Sequence, residues 1–380
     1  MIEVKNKEEC VGCTACADIC PRAAIHMMED NEGFLYPEVD LEACIDCGIC
    51  DGSCPMSNAR GENRTPVSYA VKSRNEDVLK NSSSGGVFYH LAKKVLLQGG
   101  SIYGAASMEN GSVQHVCIEK VSDIGLLMGS KYVQSKLDNI YLDIRNRLEE
   151  KQLVMFVGTP CQVEGLHTFL RKDYNSLIMV DFVCHGVASP KVLREYFASL
   201  ENRFDKKIRA IRFRDKKISW KNFSFAVEFD DSTEWREEFK KNTYLRGFLD
   251  NLYLRPSCYQ CRFKTINRIS DITMADFWGI QYVKPEFDCD EGVSLCCVNS
   301  KNGQVLFDSI GDEVDYLTVD FEEAIRYNSA YTQSVKLNRM RRWFFDHLEK
   351  TPIENNISNS LSPNIVTRIL LKVKSKKYGV

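Results

Sequence analysis

An α+β head followed by an α/β body is the fold that the sequence predicts, on three observations. A run of four cysteines closed by a proline occurs twice near the start, 34 residues apart. Strand, short loop and helix then alternate along the rest of the chain, the pattern of parallel strands joined by helical crossovers. The 380 residues are 44% hydrophobic and 27% charged with 22 Gly and 10 Pro, an ordinary globular composition that excludes wholesale disorder and fibrous folds. At that length two or three domains are expected. Apolar stretches such as Leu153 to Val157 and Ile178 to Val180 fall far below the ~18 residues of a membrane helix. No apolar signal precedes Cys10, so a cytoplasmic location and no transmembrane segment are expected. Net charge is -2, but residues 1–61 hold 4 Lys/Arg against 12 Asp/Glu, a net of -8 that leaves +6 on the remaining 319. An acidic head on a mildly basic body argues against a nucleic-acid partner.

Sixteen cysteines in such a chain point to metal or redox chemistry, because reducing compartments do not keep structural disulfides. Cys10, Cys13, Cys16 and Cys20, followed by Pro21, return as Cys44, Cys47, Cys50 and Cys54, followed by Pro55. This is the C-x2-C-x2-C-x3-C-P run of two-cluster ferredoxins, in which the fourth cysteine of each run ligates the other cluster. The expected ligand sets are therefore Cys10, Cys13, Cys16 and Cys54 for one 4Fe-4S cluster, and Cys44, Cys47, Cys50 and Cys20 for the other. Three closely spaced thiolates converge on three corners of a cube, and the proline frees the fourth to reach across. Gly12, Thr14, Ala15 and Gly48 are small enough to let the backbone wrap the cluster and aim amides at sulfur. A pair of zinc knuckles is the weaker alternative, since zinc needs no shared fourth ligands.

The body begins after a polar linker at about 57–66. Val67 to Lys72 reads as a strand, followed by a polar loop. Ser82-Ser83-Ser84-Gly85-Gly86 then opens a helix with Val87, Leu91, Val95 and Leu96 at helical spacing, which Gly99-Gly100 ends. Hydroxyls and amides at a helix start form an anion site suited to a phosphate, although such serines are most often plain caps. Leu153 to Val157 is a buried strand, followed by Gly158-Thr159-Pro160-Cys161 and a helix through Leu170. Leu177 to Val183 repeats the pattern, with Cys184-His185-Gly186 and a helix capped by Ser189 that starts at Pro190. Cys161 and Cys184 should share the sheet edge at the carboxyl ends of these strands, where such sheets bind ligands.

With Cys258 and Cys261 of a third short pair they make four thiolates, enough for another 4Fe-4S cluster or a zinc, with scattered buried cysteines as the bland reading. Cys117, Cys289, Cys296 and Cys297 are expected to be small core residues. Gly129 to Ser135 groups a cation, a phenol and an amide, and Ile269 to Met274 is a strand running into Ala275-Asp276-Phe277-Trp278-Gly279. Either segment suits a flavin wall, Lys131 stabilising an anionic ring and the aromatics flanking it, with a solvated loop and a core strand end as the bland reading. Lys131 and His185 are the candidate catalytic residues, His185 beside Cys184 as a proton donor, with a structural histidine as the default reading. Leu361 to Val380 holds 5 Lys/Arg and no acid, with Leu361, Ile365, Ile369, Leu370 and Val373 on one face. That reads as a basic amphipathic helix, packed on the body or touching a membrane surface peripherally.

Taken together, the doubled run, Ser83 to Gly86, Gly129 to Ser135, Gly158-Thr159-Pro160-Cys161-Gln162, Cys184-His185-Gly186 and Ser270 to Gly279 resemble the family of coenzyme F420 hydrogenase/dehydrogenase beta subunits over roughly residues 1–300. The resemblance implies an α/β body carrying FAD and a 4Fe-4S cluster behind a ferredoxin-like head. By that resemblance the body cluster falls to Cys161, Cys184, Cys258 and Cys261, and the flavin to Ser83, Ser84, Gly85, Gly86, Lys131, Tyr132, Gln134 and Ser135. The expected units are residues 1–61 for the two-cluster head, 62–150 and 151–330 for the two parts of the body, and 331–380 for a helical extension. The expected function is an iron-sulfur, flavin-dependent oxidoreductase. It would pass electrons between a ferredoxin-like carrier and an organic substrate or a deazaflavin- or nicotinamide-type coenzyme. The alternatives are an electron-transfer subunit without a substrate of its own, served by a redox partner subunit, and a zinc-stabilised binding module bearing a ferredoxin.

Overall fold

The computed structural model describes residues 1–58, 65–108 and 111–362 of the chain. Thirteen strands are found among them: β1 (Ile25–Glu29), β2 (Leu35–Val39), β3 (Val67–Ser73), β4 (Ser101–Ser107), β5 (Val113–Ile118), β6 (Val154–Gly158), β7 (Leu177–Phe182), β8 (Ile208–Asp215), β9 (Ser224–Phe229), β10 (Glu234–Glu238), β11 (Ile272–Asp276), β12 (Ser294–Val298) and β13 (Val314–Val319). The head is a β1-β2 antiparallel pair with short helices around the cysteine runs. The body is an eight-stranded sheet of order β13-β3-β12-β11-β7-β6-β4-β5.

The alternation of the sequence yields its middle: β4, β6, β7 and β11 run parallel. Both flanks are antiparallel, with β5 on β4 and with β12, β3 and β13 on the far side. Helices cover both faces. Val87, Leu91, Val95 and Leu96 of the helix Val87–Leu97 are buried over one face against Met155, Ile178 and Val180. Tyr141 and Ile144 of the helix Ile140–Glu149, with Val163, Leu166 and Phe169 of the helix Pro160–Leu170, pack on Val154 and Phe156 of the other. The period-2 alternation of β6 divides its side chains between the two layers.

Ser189 caps the helix Pro190–Phe204 as expected, its Oγ accepting from the Val192 N–H at 3.3 Å. Ser82, Ser83 and Ser84 do not cap theirs. The N-cap of Val87–Leu97 is Gly86, at φ +84, without a side-chain cap bond. Ser82 instead ends a short helix, Glu76–Asn81, where a polar loop was expected, and donates to the Val78 carbonyl at 2.7 Å. Asn75 starts that helix by accepting from the Val78 N–H, which the residue type allows as readily as a loop.

Gly85 passes under the sheet edge: a Cβ there would lie 2.1 Å from the Val71 carbonyl oxygen and 2.6 Å from the Ser294 nitrogen. Gly85→Ala is therefore expected to cost about 1–3 kcal/mol, read as a lowered urea midpoint at unchanged slope. An unchanged midpoint would mean that this edge gives way freely.

The antiparallel sheet β10-β9-β8 was not anticipated and inserts between the helices Pro190–Phe204 and Thr243–Leu249. Phe213, Phe225 and Val227 from it join Tyr196, Tyr244 and Phe248 in one core. Met340, Phe344, Ile353 and Ile357 belong to the same core, so the described part of the 331–380 extension is built into the body. The expected basic helix at 361–380 lies outside the described residues from 363 on, and Leu361 itself closes the helix Ile353–Leu361. Among the described residues no helix is long and apolar enough to cross a membrane.

Candidate functional site: three thiol quartets and a cavity

All sixteen cysteines are free, and twelve of them fall into three neighbourhoods. In the head, the two runs fold alike. Gly12 and Thr14 take φ of +68 and +65, and their counterparts 34 residues on, Asp46 and Gly48, take +48 and +68. The left-handed turns aim amides at sulfur. Gly12 N–H donates to Cys10 Sγ at 3.4 Å, Asp46 N–H to Cys44 Sγ at 3.5 Å and Ile2 N–H to Cys50 Sγ at 3.2 Å. Burial, then Cys16, Cys10 and Cys54, pushes the Cys13 thiol well above its ordinary pKa, so Cys54 of the second run sits with the first. Cys20, Cys44, Cys47 and Cys50 line a single recess, with Cys47 exposed.

The body quartet is assembled from three loops. Cys161 occupies the first turn of the helix Pro160–Leu170, with Thr159 Oγ1 at 3.1 Å from its Sγ. Cys184 follows β7, and Cys258 sits in a single 3-10 turn, Pro256–Gln260, just before Cys261. Backbone bonds tie the last two loops together: Arg255 N–H donates to the Val187 carbonyl at 2.9 Å and Ser189 N–H to that of Tyr253 at 3.1 Å. Burial raises the Cys161 thiol far above its ordinary range, and Cys261, Cys184 and Cys258 raise it further. The Cys184 thiol is pushed up to about 12 by burial and then Cys258, against the opposing charge of Lys264. Gly165, one turn along the same helix, comes so close to Cys13 that a Cβ would lie 3.0 Å from its sulfur. The first head quartet and the body quartet thus flank one helical turn. Among the described residues no three His, Cys, Asp or Glu close tightly enough for a single metal ion.

Above the carboxyl ends of β6, β7 and β11 opens a cavity of about 700 Å³, within the size range of small-molecule sites. Of the flavin candidates, Ser83, Ser84, Gly86, Lys131, Tyr132 and Ser135 line it. Two do not. Gly85 is turned under the sheet edge, its N–H donating to Ser294 Oγ at 2.9 Å. Gln134 points to the head, its Nε2 donating to the Val11 carbonyl at 3.1 Å. Lys131 Nζ is held by the carbonyls of Leu127 and Met128, at 2.9 and 2.7 Å. Burial pulls its ammonium down to about 7, against carbonyls that favour the charged form. Cys184 and His185 stand in the same wall, but His185 Nε2 is already paired with Asn251 Oδ1 at 2.7 Å.

Among the lining residues that sequence reasoning missed are His115 and Arg214. His115 on β5 binds the Val157 carbonyl through Nε2 at 3.0 Å, and its buried Nδ1 has no hydrogen-bond partner. Burial pushes its pKa down to about 4, so the ring is neutral and Nδ1 is a bare acceptor. Arg214 on β8 is 2% exposed and pairs with Asp276, whose other oxygen accepts from Trp220 Nε1 at 3.2 Å. Trp220 stacks on Trp278 at 5.0 Å. Trp278 therefore lines the cavity, as expected of the aromatic pair, while Phe277 turns into the core.

Residues 9–58 match a 4Fe-4S dicluster domain, and residues 151–324 match the family described as the C terminus of the coenzyme F420 hydrogenase/dehydrogenase beta subunit. Residues 151–324 thus resemble this family of beta subunits, behind a 4Fe-4S dicluster head. The family match contains the whole body quartet but not residues 83–86 or 131–135. One subunit of the F(420)H(2) dehydrogenase of Methanosarcina mazei is 24% identical over 212 residues, 51% of this chain and 59% of its own length. The chain thus spans 59% of the length of that relative. The "Ferredoxin 7Fe" of Hydrogenibacillus schlegelii is 38% identical over 72 residues, covering 18% of this chain and 86% of the ferredoxin. A chain in the structure of the F420-reducing NiFe hydrogenase complex of Methanosarcina barkeri aligns with a TM-score of 0.47 at 15% identity, over 78% of this chain and 90% of that one. The chain accordingly joins a 4Fe-4S dicluster head to a region related to the beta subunits of an oxidoreductase-type family.

Proposed function

We propose that the chain is an iron-sulfur flavoprotein that passes electrons between a ferredoxin-like carrier and an organic substrate or a deazaflavin- or nicotinamide-type coenzyme. FAD would occupy the cavity, and 4Fe-4S clusters the three quartets. The observation that carries this reading is that Cys184 of the body quartet stands in the cavity wall. When bound, such clusters move single electrons and a flavin exchanges two, and that is the chemistry they supply.

The residues present fit both groups. His115 Nδ1 offers an acceptor for a ligand N–H, and a buried polar atom left without a partner otherwise costs about 1–3 kcal/mol. Ser83, whose Oγ accepts from Ser130 Oγ at 2.9 Å, and the start of the helix Val87–Leu97 suit a phosphate. Lys131 brings a cation whose proton is exchangeable near neutral pH, which makes Nζ a better proton donor than the paired His185. Tyr132, stacked on Phe248 at 4.7 Å, and Trp278 keep water from the inner wall. The acidic head with its exposed Cys47 is the side offered to the carrier.

A second reading, an electron-transfer subunit without a substrate, is favoured by the naming of the Methanosarcina mazei relative as a dehydrogenase subunit. Anaerobic purification followed by iron, sulfide, zinc and flavin analysis tests the main reading. About twelve irons and one FAD per chain are expected, since three cubes hold that number. About eight irons, one zinc and no flavin would sink it. Bleaching of the flavin by a reduced small coenzyme would separate the enzyme from the electron-transfer protein, which accepts electrons from proteins alone.

A further inference from the structure

Arg255 is fully buried, yet no ion pair among the described residues includes it. Its guanidinium is spent on neutral acceptors and one sulfur. Nε donates to the Cys10 carbonyl at 2.8 Å, Nη1 to Gln134 Oε1 at 3.0 Å, and Nη2 to the Leu35 carbonyl at 2.9 Å and to Cys10 Sγ at 3.5 Å. The ring of Tyr36 lies 4.4 Å away and that of Phe34 5.4 Å. Gly12 makes the approach possible, because a Cβ there would stand 2.7 Å from Arg255 Nη1 on a backbone of φ +68. A buried cation without a carboxylate is costly unless another negative charge answers it, and the thiolates of the first head quartet are the negative groups at hand. Arg255 also precedes Cys258 by three residues and its charge favours the thiolate there, so it stands between the head and body quartets.

Among the described residues the second head quartet has no buried cation beside it: Arg171, which donates to the Ile49 carbonyl at 2.7 Å, is exposed. Arg22 beside it is exposed, and the Met1 amine is paired with Asp46 at 3.2 Å and Asp51 at 3.0 Å. Two halves related by a 34-residue repeat therefore differ in one buried charge. We propose that Arg255 is a positioning residue that sets the potential of the Cys10, Cys13, Cys16 and Cys54 centre, making it easier to reduce than the Cys20, Cys44, Cys47 and Cys50 centre. A fixed positive charge in a low-dielectric site stabilises the added electron. Each transfer moves one electron from a low-potential one-electron carrier and breaks no bond. The gradient runs inward, from the exposed centre to the one that adjoins the body.

The inference rests on assigning those four cysteines to one 4Fe-4S cluster. It is tested on the anaerobically purified full chain by dithionite titration followed by electron paramagnetic resonance. In Arg255→Gln the reduced-to-oxidised ratio of one head signal at fixed poise should fall about tenfold, a shift of about 59 mV for a one-electron couple, while the other head signal stays. Arg255→Lys should keep most of the wild-type value. Gln134→Glu, which sets a carboxylate against Nη1, should reproduce the Gln effect without removing the arginine, and it decides the matter if Arg255→Gln does not hold iron. Full iron with unmoved signals in Gln134→Glu, or equal shifts in all centres, overturns the role of Arg255. Wild-type protein lacking two head centres would instead overturn the cluster assignment beneath it.

Discussion

Cys258→Ala should leave about eight irons per chain against the about twelve expected of the natural sequence, because one of the three proposed 4Fe-4S centres goes and two remain. Cys258 keeps company with Cys261, Cys184 and Cys161, none of which lies in the head runs, so both head signals should survive. The effect is large because three thiolates of a quartet whose own burial disfavours the charged form are left to hold the centre. Cys296→Ala is the control: Cys296 is buried among apolar neighbours on β12, so it should lower stability and spare the iron. Iron at about eight in both the natural chain and Cys258→Ala, with zinc falling from one to none, would reassign the body quartet to zinc.

The head half of that prediction follows from a spacing rule that cluster ligands obey, whereas the body quartet is implied by the family resemblance, spacing alone leaving a zinc or scattered cysteines open. The eight head cysteines carry their pairing in the interval between them, and the left-handed turns at 12, 14, 46 and 48 repeat with it. Cys161 and Cys184 were placed on one edge by the rule that loops after parallel strands gather there, and both do. The antiparallel flanks escaped notice because β3, β12 and β13 are fed from distant parts of the chain, and local alternation carries no record of pairing. Arg214 and His115 were invisible for a related reason: each lies on an ordinary strand whose importance comes only from the sheet or edge it meets. Ser84 failed differently. Its hydroxyl donates to the Val293 carbonyl at 2.7 Å, a partner 209 residues away, so the local preference of serine for a helix start lost to a tertiary bond. Gln134 was assigned with its neighbours, yet its side chain turns to the head, donating to the Val11 carbonyl and accepting from Arg255 instead of facing the cavity.

The buried pair of Arg268 with Asp181 governs the stability of the body's working edge, and Arg268→Met is expected to cost about 3–5 kcal/mol. The two side chains are each 2% exposed and meet at 2.9 Å. Arg268 also lies 4.4 Å from the Tyr331 ring and donates to that residue's carbonyl at 3.3 Å. Asp181 sits on β7, three residues before Cys184, whereas Arg268 belongs to the segment between Cys261 and β11. The pair therefore clamps together two of the three loops that supply the body quartet. Loss of the cation strands a carboxylate in the sheet, and the strain falls on the strand that presents Cys184. Denaturant unfolding should show the drop, and iron should leave the body centre before the head centres as the temperature rises. Adding Asp181→Leu removes the orphaned charge and should restore most of the loss, as replacing both members of a buried ion pair by apolar groups often does. A double variant no more stable than Arg268→Met would show that the cation holds this edge through Tyr331 rather than through Asp181.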